Sequence, residues 1–290
     1  MKWNNLRRSS NVEDLRSQSP LRGVGRSKGG LGLLLRIVPF LLKSKIGRII
    51  LVIGVFAYFL GYNPLTLLDN SIPSSKLASS PKNNDKSAEF VSVVLGQTEQ
   101  VWHKIFSEHG LTYVEPKLVL FRQGTRSGCG FASVQTGPFY CPVDQKVYLD
   151  LSFFDELKNR FHSPGDFAEA YVIAHEIGHH VQNLLGTLKK SHSLKSHSSK
   201  KTANSVQVKV ELQADCYAGI WAHNLKNILD DGDISEALNA ANAIGDDTLQ
   251  KQARGYVTPD SFTHGTSQQR MAWFKRGYQS GKLSACQTGI

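Results

Sequence analysis

The C-terminal two thirds of the chain contain long stretches with many apolar residues and no proline, a pattern that predicts helices. The stretch 167–185 is rich in alanine and leucine, with Ser163 and Pro164 suited to a helix start and Gly186 suited to a C-terminal cap. The stretches 88–109 and 210–219 have the same character. We therefore predict a helix in each of the three.

Two shorter apolar runs, 117–121 and 146–151, are typical of β-strands. Together with the helices they lie within about 200 residues, a length that supports one hydrophobic core. We predict an α+β, helix-rich domain with a small β-sheet over residues 88–290. The polar segment 188–204, rich in lysine and histidine, is predicted to be a loop, either a lid over a cleft or a solvated insertion.

A further apolar segment, 49–62, has no charged residue and is followed by proline. It is shorter than the roughly 20 residues of a full membrane span, but extension to 46–68 reaches that length. We predict a single transmembrane helix over 46–68, preceded by a basic tail, 1–45, and followed by a flexible linker, 69–87.

The charge distribution predicts the orientation of this anchor. The chain has a formal net charge of +10, of which +9 belongs to residues 1–48. The positive-inside rule then places the tail in the cytoplasm. We therefore expect a single-pass protein of the cytoplasmic (inner) membrane with its N-terminus inside and its C-terminal domain periplasmic or extracytoplasmic. A cleaved signal peptide is the alternative, although the basic region is long and no clear cleavage site follows.

Two other N-terminal features bear on partners. The segment 31–42 is apolar but contains Arg36 and Pro39, so we interpret it as interfacial and not as a second span. The basic tail has no recognisable nucleic-acid-binding fold, and beside a membrane segment it is better explained by attraction to anionic lipid. We expect no nucleic-acid partner.

Residues 175–179 read HEIGH, an H-E-x-x-H motif inside a predicted helix. Positions i and i+4 share a helix face, so His175 and His179 can bind one Zn²⁺ ion, with Glu176 placed to accept a proton from the attacking water. Gly178 would let another backbone or the substrate come close. His180 lies about 100° around the helix from His179, so we predict a packing or hydrogen-bonding role for it.

A zinc site of this kind needs a third protein ligand. Glu211 and Asp215 are spaced i and i+4 on the next predicted ligand helix, and their repulsion is unfavourable without a cation nearby. We predict Glu211 as the third ligand and Asp215 as the acceptor for the distal N–H of a ligating histidine. The alternative is that both acids face solvent on an amphipathic helix.

All four cysteines follow the predicted anchor, and an even count outside the cytoplasm suggests disulfides. Cys129 and Cys141 bracket a segment that could form a hairpin, so we pair them. Cys216 would then pair with Cys286 and tie the C-terminus to the predicted ligand helix. The competing interpretation makes Cys216, the neighbour of Asp215, a zinc ligand.

HEIGH followed by ELQAD at residues 211–215 resembles the gluzincin pattern of zinc metallopeptidases. The chain as a whole is similar to a bacterial family of membrane-anchored neutral zinc metallopeptidases. The other stretches that carry this resemblance are Met1-Lys2-Trp3 with Arg8–Arg16, Ser127–Ala132 with Gly137–Pro142, and Thr263-His264-Gly265 before Arg270.

The resemblance implies one zinc ion per chain and hydrolysis of peptide or protein substrates. It makes His264 the candidate for stabilising the oxyanion, with Tyr217 as the runner-up and helix capping as the alternative role of His264. Arg270 is expected to pair with a carboxylate. In such peptidases an edge strand holds extended substrate, and Val147–Leu151 could be that strand or an ordinary core strand. Two other functions remain open: a zinc-containing binding or scaffold protein without activity, and a metal-dependent hydrolase of a non-peptide amide.

Overall fold

A computed structural model describes residues 1–18 and 85–290 of the chain. The strands in this part of the chain are β1 (Val12–Asp14), β2 (Lys117–Phe121), β3 (Gly124–Ser127), β4 (Gly130–Ser133), β5 (Phe139–Cys141) and β6 (Lys146–Asp150). The helices are α1 (Asp85–Glu108), α2 (Ser152–Asn159), α3 (Asp166–Leu184), α4 (Thr187–Ser196), α5 (Lys200–His223), α6 (Asp233–Ala243), α7 (Asp246–Arg254) and α8 (Ser267–Ser280). The predicted helix-rich α+β fold with a small sheet is confirmed for these residues.

The main sheet has four strands in the order β1-β2-β6-β5. Strands β1, β2 and β6 are parallel, and β5 runs antiparallel to β6. Because β6 lies between two strands, Val147–Leu151 is not the edge strand that could hold a substrate. The edge strand beside β6 is β5, three residues that were too short to give a strand pattern of their own, and β1 forms the other edge. A separate hairpin, β3-β4, carries Cys129 in its turn.

Helix α3 lies at the centre of the core, with buried residues on every side over most of its length. Helix α8 packs closely on α5 because of Gly277, where an added Cβ would lie 1.9 Å from the backbone oxygen of Cys216. Any larger residue at position 277 would force the two helices apart. This close crossing brings the start of α8 over the middle of α5.

Helix α3 begins at Asp166, two residues later than the sequence indicates. Gly165, with φ 121°, precedes the first helical residue, and Ser163 is buried without a hydrogen-bond partner for its hydroxyl. The capping group comes instead from α6, where Glu236 accepts the backbone N–H of Phe167 at 3.0 Å. The predicted loop 188–204 is also corrected, because it forms helix α4 and the first turn of α5.

The N-terminal segment is part of the folded domain. Strand β1 pairs with β2, and the backbone N–H of Ser9 donates to the carbonyl of Ser92 at 2.9 Å. Arg7 forms an ion pair with the buried carboxylate of Glu99. Residues 1–18 therefore contact the residues that follow position 85, and their arginines are used within the protein.

This packing corrects the predicted location. No helix in the ranges 1–18 and 85–290 is long and apolar enough to cross a membrane. The predicted anchor 46–68 and the segment 31–42 lie outside the described residues. A single span between them would put residues 1–18 and 85–290 on opposite sides of a membrane, whereas the two ranges share a sheet. The prediction of a single-pass inner-membrane protein with its N-terminus inside and this domain outside is therefore wrong.

Two disulfide bonds join the cysteines in the pairs suggested by the sequence. Cys129 and Cys141 tie the β3-β4 hairpin to β5, with a Cα–Cα distance of 5.7 Å. Cys216 and Cys286 tie α5 to the C-terminal turn, with a Cα–Cα distance of 5.6 Å. Cys216 is therefore engaged in a covalent bond and is not free to serve as a thiolate ligand.

Candidate metal centre

Three donor atoms converge between α3 and α5. Glu211 Oε2 lies 3.2 Å from His175 Nε2 and 3.4 Å from His179 Nε2. A tetrahedral zinc ion with bonds of about 2.0–2.1 Å has ligand atoms roughly 3.3 Å apart, so these donors fit that ion. The close approach of the helices depends on Gly178, because an added Cβ there would lie 2.9 Å from the backbone oxygen of Ala214.

The tautomer of His175 is fixed by Asp215. The carboxylate can only accept, so His175 donates from Nδ1 to Asp215 Oδ1 at 2.7 Å and keeps the Nε2 lone pair for a metal ion. Asp215 is fully buried. It also accepts from Tyr171 at 2.6 Å and from Arg270 through two bonds of 2.9 Å each. Asp215 therefore holds the imidazole of His175, and Arg270 balances the charge of Asp215.

The tautomer of His179 is fixed in a different way, by a glutamine of the same helix. The amide nitrogen of Gln182 donates to the carbonyl of Val210 at 2.7 Å, which identifies the other amide atom as oxygen. That oxygen lies 2.9 Å from His179 Nδ1 and accepts its proton. His179 thus also presents Nε2 to the centre.

The electrostatics of the cluster favour a cation among the three donors. Burial by itself would lower the pKa of His175, but Asp215 and Glu211 raise it to about 10. Burial would raise the pKa of Asp215, but Arg270 and His175 lower it to about 2. Burial would likewise raise the pKa of Glu211, and the two histidines hold it well below its usual range. Both acids are therefore ionised. Arg270 balances Asp215, so the negative charge of Glu211 is the one that favours a cation among the three donors.

Glu176 is buried beside this cluster and lines the same cavity. Tyr140, in β5, lines the same cavity, and burial raises the pKa of Glu176. The side chain is thus held between the donor cluster and the edge of the sheet. A carboxylate in this position can accept a proton from a water molecule at the centre.

His264 lines the same cavity and is half exposed. Its Nδ1 lies 3.2 Å from Asp246 Oδ1, and this contact raises the pKa of His264. The other oxygen of Asp246 accepts the backbone N–H groups of Thr263, His264 and Gly265 at 2.6, 2.6 and 3.1 Å. Asp246 therefore fixes both the loop and the ring, and Nε2 is the nitrogen of His264 left to meet a ligand.

Two other residues singled out in the sequence, Tyr217 and His180, lie in the packed core. Tyr217 is buried and packs edge-on against Trp102 with ring centroids 5.6 Å apart, away from the cavity. His180 is fully buried, with Nδ1 3.0 Å from the hydroxyl of Tyr140 and Nε2 2.7 Å from the carbonyl of Val114. The predicted packing and hydrogen-bonding role of His180 is confirmed.

The donor cluster opens into a cavity of about 850 Å³. One wall follows residues 135–140, which lead into and form most of β5, and the other includes Leu188, Ser191 and Lys195 of α4. Its volume falls in the upper part of the range of about 300–1,000 Å³ typical of ligand pockets. The segment predicted as a loop therefore contributes a rigid helical wall.

Four polar residues at this site were missed by the sequence analysis: Tyr171, Gln182, Gln207 and Asp246. Tyr171 precedes His175 by four positions and so shares its helix face, a signal that was available. Gln207 precedes Glu211 by four and donates to its Oε1 at 2.8 Å, which leaves Oε2 facing the two histidines. Asp246 had no such local signal, since it reaches His264 from a different element.

Replacement of Arg270 by methionine is expected to lower the free energy of unfolding by about 3–5 kcal/mol, because the buried charge of Asp215 would lose its partner. Lys275→Met, an exposed change on the same helix, is the control and should stay within about 0.5 kcal/mol of the original chain. Urea unfolding of the metal-free proteins measures both. Equal effects of the two substitutions would show that the Asp215–Arg270 pair does not support the fold.

Comparisons with known proteins agree with this geometry. A family model described as "Putative neutral zinc metallopeptidase" matches residues 1–289. "Uncharacterized protein YpfJ" of Escherichia coli (strain K12) is 47% identical over 293 residues, covering 99% of this chain and 98% of that protein. "Uncharacterized protein Rv2575" of Mycobacterium tuberculosis (strain ATCC 25618 / H37Rv) is 45% identical over 189 residues, covering 61% and 63%. No solved structure matches the chain significantly.

Proposed function

The chain belongs to the family described as "Putative neutral zinc metallopeptidase", and from this premise we propose that it hydrolyses peptide bonds with one zinc ion held by His175, His179 and Glu211. One observation carries the proposal: the three donor atoms lie within 4.8 Å of one another, and both imidazoles present Nε2. Glu176, in the same cavity, supplies the base that a purely structural zinc site does not need.

Zinc bound at this centre supplies a Lewis acid that polarises a carbonyl and lowers the pKa of water. Glu176 accepts the proton of the attacking water and passes it to the leaving amine. Asp246 orients His264 and favours its protonated form, in which Nε2 carries a proton and donates a hydrogen bond to the oxyanion. Asp215 and Gln182 keep the two imidazoles in the productive tautomer.

Strand β5 is the element that we assign to substrate binding. Among the described strands it ends the sheet, with β6 on one side and the cavity along the other. Phe139 and Tyr140 of this strand line the same cavity as Glu176 and the donor cluster. An extended peptide can therefore pair with this edge and pass the donor cluster, with specificity set by the side-chain pockets of the cavity.

Removal of the metal ion tests the proposal. The full chain should contain one zinc per molecule and cleave an unfolded protein. Incubation with a strong chelator should abolish cleavage, and added zinc should restore it while magnesium does not. A natively folded protein of similar size serves as a control substrate.

Zinc bound without cleavage of any peptide or protein would contradict the peptidase assignment. Release of a non-peptide amide under those conditions would identify the alternative hydrolase, and no turnover of either would support a binding role. A chain that binds no zinc would refute the metal centre itself.

A further inference from the structure

We infer that two buried glutamines, Gln182 and Gln213, form a hydrogen-bonded chain that positions the ligand His179, and that the Cys216–Cys286 disulfide holds the far end of this chain. The inference rests on the metal centre proposed above and deepens it. It assigns a role at the centre to a disulfide that contributes no ligand.

The direction of each hydrogen bond follows from its partners. The carbonyl of Cys286 can only accept, so the atom of Gln213 at 2.9 Å is its amide nitrogen. The oxygen of Gln213 therefore faces Gln182 and accepts from its nitrogen at 3.0 Å. The oxygen of Gln182 is then left for Nδ1 of His179 at 2.9 Å. The chain ends with the Nε2 lone pair of His179 directed at the donor cluster.

Burial makes these bonds difficult to replace. Gln182 and Cys286 are fully buried, and Gln213 is 8% exposed. Water has little access to substitute for a missing partner, and an amide left unpaired in such a position is unfavourable. Loss of one link therefore leaves the neighbouring amide less firmly oriented.

The Cys216–Cys286 disulfide holds in place the carbonyl at which the chain of hydrogen bonds begins. Cys216 lies three positions after Gln213 on α5, and its bond to Cys286 places the carbonyl of Cys286 next to the amide of Gln213. The turn that contains Cys286, Leu283–Cys286, follows α8 near the end of the sequence. Opening of the disulfide would free this turn and remove the acceptor that sets the orientation of Gln213.

The substitutions should reduce zinc affinity to different extents, because a second hydrogen bond also holds the amide of Gln182. The nitrogen of Gln182 also donates to the carbonyl of Val210 at 2.7 Å, independently of Gln213. Loss of Gln182 removes the hydrogen bond through which the two glutamines hold His179. Loss of Gln213 or of the disulfide weakens that bond without removing it.

Zinc affinity of the full chain, measured by competition with a chromophoric chelator, tests this arrangement. Gln182→Met should raise the zinc Kd by roughly ten- to hundredfold, as expected for loss of a residue that orients a ligand. Gln213→Met and the pair Cys216→Ala/Cys286→Ala should each raise it several-fold. Gln213→Met combined with the cysteine pair should raise the zinc Kd no further than either change alone, since both interrupt the same chain of hydrogen bonds.

The pair Cys129→Ala/Cys141→Ala is the matched control and should leave the zinc Kd unchanged. The Tm of each metal-free protein separates positioning from stability, because a purely structural role would lower Tm and leave the Kd where it was. If the variant without Cys216 and Cys286 does not fold, Gln213→Met, with both disulfides intact, decides the question.

A zinc Kd for Gln213→Met within twofold of the original chain would overturn the inference. Additive effects of Gln213→Met and the cysteine pair would overturn the role of the disulfide. If the original chain binds no zinc, the proposed metal centre fails, and the inference fails with it.

Discussion

Glu176→Gln is expected to reduce peptide cleavage by roughly 10²–10⁴-fold, the contribution typical of a positioned general base, while zinc remains bound. Glutamine keeps the size of the side chain and removes its ability to accept a proton. Glu176 is not one of the three converging donors, so the substitution leaves His175, His179 and Glu211 in place. The expected result is therefore a metal-loaded, folded and almost inactive protein.

The surroundings of Glu176 should allow its loss to affect activity without affecting zinc binding or the fold. It is buried and lines the same cavity as the donor cluster and Tyr140 of β5. Glutamine has nearly the same size and shape as glutamate, so β5 should keep its position. A loss of activity would then report on proton transfer and not on the substrate-binding edge.

The measurement combines zinc content with initial rates on an unfolded protein substrate. Glu156→Gln, at another acid that lines the cavity, is the matched control and should retain cleavage within a few-fold. Cleavage by Glu176→Gln at the original rate would exclude Glu176 as the base. Loss of zinc from this variant would instead mean that Glu176 contributes to metal binding.

The convergence of His175, His179 and Glu211 could be predicted because its signal is local. His175 and His179 share a helix face, and a third ligand in a following helix is the ordinary complement of such a pair. The spacing of Glu211 and Asp215 also predicted two different roles, and the structure places one acid at the donor cluster and the other on His175 Nδ1. Periodicity within a single helix was sufficient in each case.

The partners of these residues were harder to predict because they come from distant parts of the chain. Glutamine gives no pattern of its own, so nothing in the sequence connects Gln182 with Gln213 and Cys286. Asp246 meets His264 only through the packing of α7 against the loop before α8. Strand β5 has three residues, too few for an alternation of polar and apolar positions to be recognised.

The N-terminal segment shows how composition can mislead. Its arginines indicated a tail attracted to lipid, yet Arg7 pairs with Glu99 and Arg8 with Glu89 in α1. Strand β1 pairs in parallel with β2, more than a hundred positions further along the chain. Parallel pairing over such a separation depends on the packed core, which no local pattern describes.

Glu211→Ala is expected to abolish stoichiometric zinc binding. Glu211 supplies the only carboxylate oxygen within the donor cluster, 3.2 and 3.4 Å from the two imidazole nitrogens. Without it two neutral ligands remain, and the negative potential that attracts the cation is reduced. Loss of an orienting residue alone costs roughly ten- to hundredfold in metal affinity, so loss of a ligand should exceed that range.

A buried carboxylate outside the cluster provides the control that this experiment needs. Glu99 is also buried, and it accepts hydrogen bonds from Ser9 and Asn11 in the N-terminal segment. Glu99→Ala should lower Tm and leave zinc at one per chain, whereas Glu211→Ala should lose zinc in a protein that remains folded by circular dichroism. Stoichiometric zinc in Glu211→Ala would show that the third ligand lies elsewhere. Glu211 reaches the histidines because Gly178 lets α5 approach α3. Gly178→Leu should therefore also lose zinc, although all three ligands are still present.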